Sequence, residues 1–270
     1  MFKRTIKHLQ HTVSPTFFPA QLIAVAFCTG ILDATTYADF QTFASNQTGN
    51  AIMLPVGMVG AARVQMLGTG ISLATFLFFG CLSGQIGHVL GHRKRWWLLL
   101  SSFIQATFVL IPAALLYTRS VIISQVNAPL LLFFLATSAG LQVSMARNLG
   151  VNEIPTAMLT SPFIDFLTDR HLFSGSWSDR KLMSRNRRLC YISAIWGGAF
   201  LGAVMHRYSG SKEVILMVGC MKLGIMASFW FNREVEEGKS ATVTVKDEIE
   251  SRGSENGSPE LQPPQLSYDS

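Results

Sequence analysis

Residues 67–90 read LGTGISLATFLFFGCLSGQIGHVL, 24 consecutive positions without an Asp, Glu, Lys or Arg. A helix of that length, at 1.5 Å per residue, is about 36 Å long, enough to cross roughly 30 Å of hydrocarbon. Within it lies Gly80-Cys81-Leu82-Ser83-Gly84-Gln85-Ile86-Gly87-His88, two glycines four apart with a histidine four further on. The same spacing returns at Gly198-Ala199-Phe200-Leu201-Gly202-Ala203-Val204-Met205-His206. Small residues four apart let helix backbones approach closely in lipid, where packing drives association. Gly80, Gly84, Gly198 and Gly202 are therefore read as helix-packing positions. A single such pair is common by chance; its return in a second apolar run implies that the chain is written twice.

The rest of the chain supports a membrane setting. Of its 270 residues 49% are hydrophobic and 14% charged, with a mean hydropathy of +0.32, more apolar than a soluble domain of this size requires. Six runs have spanning length or nearly so: 18–37, 67–90, 96–117, 128–145, 189–205 and 214–231. Two shorter runs, 51–62 and 154–167, carry Pro55 and Pro155 with Pro162. Each is too short to cross alone and reads as a half-membrane or re-entrant helix. The predicted fold class is thus all-α: a polytopic helix bundle of about six full spans plus two short re-entrant helices, with a two-fold internal repeat.

Charge placement sets the expected topology. The net charge of +6 would suggest nucleic acid in a soluble protein, but here Lys and Arg lie in loops between apolar runs, so no nucleic-acid partner is expected. A six-span chain with a cytoplasmic N-terminus keeps Arg93, Lys94, Arg95, Arg170, Arg180, Lys181, Arg185, Arg187 and Arg188 inside, leaving Arg63, Arg119, Arg207 and Lys212 outside. Both termini are then cytoplasmic. The first run is too long for a signal-peptide core and ends without Ala-x-Ala, so it reads as an uncleaved span. The expected domains are a basic N-terminus over 1–17, a membrane domain over 18–232 with halves 18–118 and 127–232, and a polar, disordered tail over 233–270. Neither Asn46-Gln47-Thr48 nor Asn256-Gly257-Ser258 is expected to be glycosylated. Trp96, Trp97 and Trp230 read as interfacial anchors, and His88 and His206 as span-end residues.

Each half orders a span, a short proline-bearing run, the GxxxGxxxH span and another span. Gly30-Ile31-Leu32-Asp33 corresponds to Gly140-Leu141-Gln142, and each is followed some 20 residues later by Thr48-Gly49 or Thr160-Ser161. With three crossings per half the second copy enters the bilayer in the opposite sense, the ground plan of many secondary transporters.

The candidate solute-binding residues are Asp33, Thr48, Gly49, Asn50, Gln142 and Thr160. Asp33 is costly in hydrocarbon unless paired or hydrated, so it is either functional or close enough to the outer surface to reach interfacial water. Lys222, mid-span with the opposite sign, poses the same problem, and an Asp33–Lys222 ion pair across the halves would solve both. Thr48, Gly49 and Asn50 open the first short run, whose free N–H groups would face a solute or anion if the helix is broken there; the alternative is an ordinary cap and turn. Cys28, Cys81, Cys190 and Cys220 sit in apolar runs without metal-ligand spacing and read as buried apolar residues, and no metal or cofactor is expected. No enzyme motif is present.

The series Gly30-x-x-Asp33, Phe43 leading into Thr48-Gly49-Asn50, a glycine-rich span, then Gly140-Leu141-Gln142 and Thr160 resembles the YoaK-like membrane proteins, the family named domain of unknown function 1275, and within it the fungal branch. The resemblance covers about residues 18–232. It implies the architecture and no activity. The expectation is a transporter-like or channel-like protein in contact with membrane lipid, moving a small solute or ion, and compatible with a homo-oligomer. The contrasting reading is a structural or regulatory membrane protein that binds partners through its basic loops and tail.

Overall fold

The computed structural model describes residues 8–174, 179 and 182–235. The chain divides into two compact units, 1–233 and 234–270. The expected disordered tail, apart from its first residues, lies outside the described residues, as do Lys3, Arg4, Arg180 and Lys181. The first unit is helical, with an isolated β-bridge between Thr12 and Lys94.

From Phe18 onward, eight α-helices follow in order among the described residues: α1 (Phe18–Phe40), α2 (Gln47–Met58), α3 (Met66–Leu90), α4 (Arg95–Tyr117), α5 (Ala128–Asn148), α6 (Thr160–Leu167), α7 (Met183–Ser209) and α8 (Ser211–Trp230). Six of them, α1, α3, α4, α5, α7 and α8, are long and apolar enough to cross a membrane. At 12 and 8 residues, α2 and α6 are not. Local chemistry sets the ends. The Gln65 side chain accepts the Gly68 amide at 2.7 Å to cap α3, and Gly91 (φ 90°) and Gly210 (φ 93°) supply the left-handed turns that end α3 and α7.

The first turns of α7 contain Arg185, Asn186, Arg187 and Arg188, too polar for a hydropathy reading to include. Tertiary contacts hold them helical. Arg185 donates to the carbonyls of His171 and Ser174 at 2.5 and 2.6 Å, and Arg188 reaches Asp165 and Asp169 at 3.7 and 3.8 Å. The span therefore begins six residues before the apolar run does.

The two ends of the bundle are easily told apart. At one, the first described residues are clipped between the α3–α4 turn and the end of α8. Val13 donates to Arg93 O and Ser14 to Arg233 O, both at 2.9 Å, while fully buried Arg95 donates to Asn232 O at 2.5 Å. We call this the basic end. At the far end Gln65 donates to Gln125 O, Gln125 to Asp39 O, and His206 meets Asp39 at 2.7 Å.

Packing follows a pattern of exchange. The main pairings are α1 with α7, α3 with α5 and α4 with α8; α4 also packs on α5 as α1 does on α8, and α2 lies on α3 as α6 lies on α7. Glycine makes the closest of these approaches possible. A Cβ on Gly198 would collide with Phe27 O and one on Gly202 would lie 2.7 Å from Ile31 O, both in α1; one on Gly30 would strike Ile195 O. Gly140 stands against Phe76 O in the α3–α5 pair, whereas Gly80 and Gly84 have more room, with contacts at 3.4 and 3.0 Å. The glycine pairs thus mark both interfaces, with the tighter one at α1–α7.

Apolar side chains point outward as well as inward: Phe78 is 63% and Phe200 75% exposed in the middle of their spans. Such a surface suits lipid and not water. Only Cys28 is buried; Cys81, Cys190 and Cys220 lie on the outer surface, correcting the expectation that all four are interior. The interior mixes aliphatic clusters with Thr29, Ser101, Gln105, Ser138, Gln142 and Lys222, all buried.

Candidate functional site

After Phe40 the chain turns at Gln41 (φ 53°), whose amide donates back to Tyr37 O, and folds alongside α1 instead of leaving the bundle. Asp33 is the anchor. Ser45 gives its amide to Asp33 Oδ1 at 2.8 Å and its hydroxyl to Oδ2 at 2.5 Å, with the amides of Ala44 and Asn46 adding to the same ring. Asn50 fastens the loop from the other side. Its Oδ1 accepts the Phe43 amide at 3.2 Å, and its Nδ2 donates to Phe43 O at 2.8 Å and Gln47 Oε1 at 2.9 Å. Ser72 of α3 donates to the same Phe43 carbonyl at 2.8 Å, and Thr42 pairs with Thr69 at 2.9 Å. Backbone that leaves the helix at membrane depth must find its partners within the protein, and these side chains supply them. The helix then runs back along α3, with Gly57 against Met66.

The first short helix therefore begins at Gln47, four residues before the apolar run. Its opening polar turn is the part bonded to α3. Asn50 is 1% exposed and committed to the loop, Gly49 lies against the Phe43 ring, and Thr48 is exposed.

A second re-entrant segment comes from the basic end. Residues 154–157 are buried, yet they are not helical, because Pro155 is followed by Thr156 at φ 63°. A β-branched residue there is an outlier. Thr156 Oγ1 is also buried without a hydrogen-bond partner. The Tyr191 hydroxyl of α7 fixes the next turn by donating to Met158 O at 2.6 Å, and α6 starts only at Thr160, which is exposed.

The two segments meet at a cavity of about 230 Å³. Its walls are Thr29, Gly30, Asp33, Ala34 and Tyr37 of α1, Phe43 and Asn46 of the first loop, Ala157 and Leu159 of the second, and Ile195 and Ala199 of α7. Asp33 stands seven residues from the end of α1, about 10 Å deep, and Ile195 lies near the midpoint of α7. The cavity thus lies well inside the span in depth and is partly open at its side, where Tyr37 and Asn46 are exposed. Asp33 is only half-buried, so it is open to this space.

Of the residues expected to bind solute, Asp33 alone lines the cavity. Gln142 is one bond removed, donating to Thr29 Oγ1 at 2.8 Å. Thr160 follows the lining residue Leu159, and Thr48, Gly49 and Asn50 lie on the loop behind Phe43. The Asp33–Lys222 ion pair is not formed. Lys222 Nζ donates to Gln142 Oε1 at 2.6 Å, while the Asp33 carboxylate is turned to Ser45. Tyr37, Phe43, Asn46, Thr156 and Ala157 were not among the residues expected from the sequence to bind solute. Only the Pro155-Thr156 step carried a signal, that of a residue following a proline break.

Six spans with two helical segments folded back into them define a polytopic α-helical membrane protein. The chain belongs to the family described as Protein of unknown function (DUF1275), whose model matches residues 21–228. No curated protein and no solved structure matches it.

Proposed function

We propose that the protein is a small-solute transporter or channel whose binding site is the cavity at Asp33, and that its halves α1–α4 and α5–α8 form an inverted repeat. The observation that carries the reading is that two re-entrant segments, one from each half, line the same cavity. Exchanging the halves also turns every main helix pairing into another that is present: α1–α7 becomes α5–α3, and α4–α8 becomes itself. Inverted repeats with interrupted helices near the bilayer midplane are the recurrent build of secondary transporters. The strained Thr156 beside Ala157 fits as well, since backbone strain concentrates at functional sites. By the positive-inside rule the basic end, with Arg93, Lys94 and Arg95, is cytoplasmic.

The test is counterflow uptake of a panel of labelled amines, carboxylic acids and polyols by vesicles containing the full chain. A saturable flux for at least one solute is expected, and Ala34→Phe, which fills the cavity without touching Asp33, should lower it by about tenfold or more, the equivalent of at least ~1.4 kcal/mol of lost binding. Flux that Ala34→Phe leaves unchanged, or no flux for any member of the panel, would sink the reading.

A further inference from the structure

We propose that the cavity receives a small organic cation, a protonated amine with a short apolar substituent, with Asp33 as its counter-charge. The inference rests on the cavity being the solute site, and concerns what that site accepts. A broken helix presents free N–H groups that would suit an anion. Here that place is already filled from within: the Ser45 amide and hydroxyl are both spent on the Asp33 carboxylate, at 2.8 and 2.5 Å. No Lys, Arg or His lines the cavity, and Lys222 is directed to Gln142. The lining therefore carries one acidic group and no basic one. The Asp33 carboxylate takes two hydrogen bonds from Ser45 and is faced by the Ala44 and Asn46 amides, all neutral donors that bring no positive charge to offset its own. A carboxylate within a span has strong reason to be met by a cation.

The remaining lining distinguishes an organic cation from a metal ion. Thr29 Oγ1 accepts from Gln142 at 2.8 Å and donates to Val25 O at 3.1 Å, so it presents mainly its methyl group to the space. Beyond Asp33 and the already bonded Thr29, the side-chain oxygens on the walls are those of Asn46 and Tyr37, well short of the roughly six to eight that a hard cation such as calcium gathers. The other walls are apolar or aromatic: Leu159, Ile195 and the rings of Tyr37 and Phe43, stacked with centroids 4.8 Å apart. Aromatic lining beside a carboxylate favours alkylammonium groups. At about 30 Å³ per water, 230 Å³ holds the equivalent of about eight waters, which suits a guest of no more than about eight heavy atoms.

The experiment compares butylammonium, butyrate and butanol, similar in shape and different in charge, as ligands of the purified full chain, read as saturable thermal stabilisation in detergent. Butylammonium alone should stabilise. Asp33→Asn should raise its half-saturating concentration by about tenfold or more, as expected for loss of a charge-assisted contact. Asp39→Asn, at the carboxylate that meets His206 outside the cavity, should not. Because Asp33→Asn also weakens the Ser45 staple, Ala34→Phe provides a second arm that keeps the staple and should weaken binding similarly. Saturable binding of butyrate or butanol, or butylammonium binding indifferent to both variants, would overturn the cation assignment while leaving the cavity a solute site. If none of the three binds, the assignment also falls; the solute-site reading falls with it only if Ala34→Phe leaves every measured flux unchanged.

Discussion

Thr156 departs furthest from what its residue type prefers. Its φ of 63° is left-handed, its side chain is β-branched, and its hydroxyl is buried without a partner. A conformation of this kind costs of order 1–3 kcal/mol, and it persists because Ile154 and Ala157 are buried on either side and Met158 is tied to Tyr191. Replacing it by glycine removes both the strain and the orphan hydroxyl. Thr156→Gly should therefore raise stability in detergent by about 1 kcal/mol, measured as a higher midpoint of thermal unfolding, while reducing flux through the neighbouring cavity. A lower midpoint would mean that the threonine makes packing contacts worth more than its strain. Asp33, by contrast, was legible as a residue that needs an explanation, because a carboxylate in an apolar run always does. Its partner was not: nothing in the spacing of Asp33 and Ser45 shows that the chain reverses between them.

At the scale of elements, the spans were largely written in hydropathy because lipid-facing side chains must be apolar whatever they pack on. Five of the six begin and end within about three residues of their apolar runs, and the sixth, α7, begins earlier because its first turns are held by arginines, which hydropathy rejects. The short elements were the hard ones. The first begins in the polar turn at Gln47, and the second is helical only from Thr160 because Pro155 and Thr156 hold the preceding apolar residues out of a helix. The α1–α7 interface gives a sharp test of glycine packing. Gly198→Ala places a methyl against Phe27 O and should cost about 1–3 kcal/mol, as overpacking commonly does, whereas Gly224→Ala meets nothing within 4 Å and should be close to neutral. Heat resistance of the detergent-solubilised variants separates the two. Equal losses would show that α8 also meets a close neighbour at Gly224, such as a second copy of the chain.

At the scale of the whole molecule, the proposed repeat draws its support from helix pairings that map onto one another when the halves are exchanged, and the cavity lies where a segment from each half comes together. No local pattern encodes that meeting. Asn46 and Ala157 are more than a hundred residues apart, and nothing in either residue's type or spacing links it to the other. Their convergence within the span is the feature on which both the transport reading and the cation assignment depend. It is tested most directly in native membranes by replacing Asn46 and Ala157 with cysteine in a chain whose Cys28, Cys81, Cys190 and Cys220 are serine, then treating it with a short bifunctional methanethiosulfonate. The predicted result is an intramolecular link that an impermeant thiol reagent, applied first at the Asn46 position, prevents. Full labelling of both cysteines without any link would contradict the account.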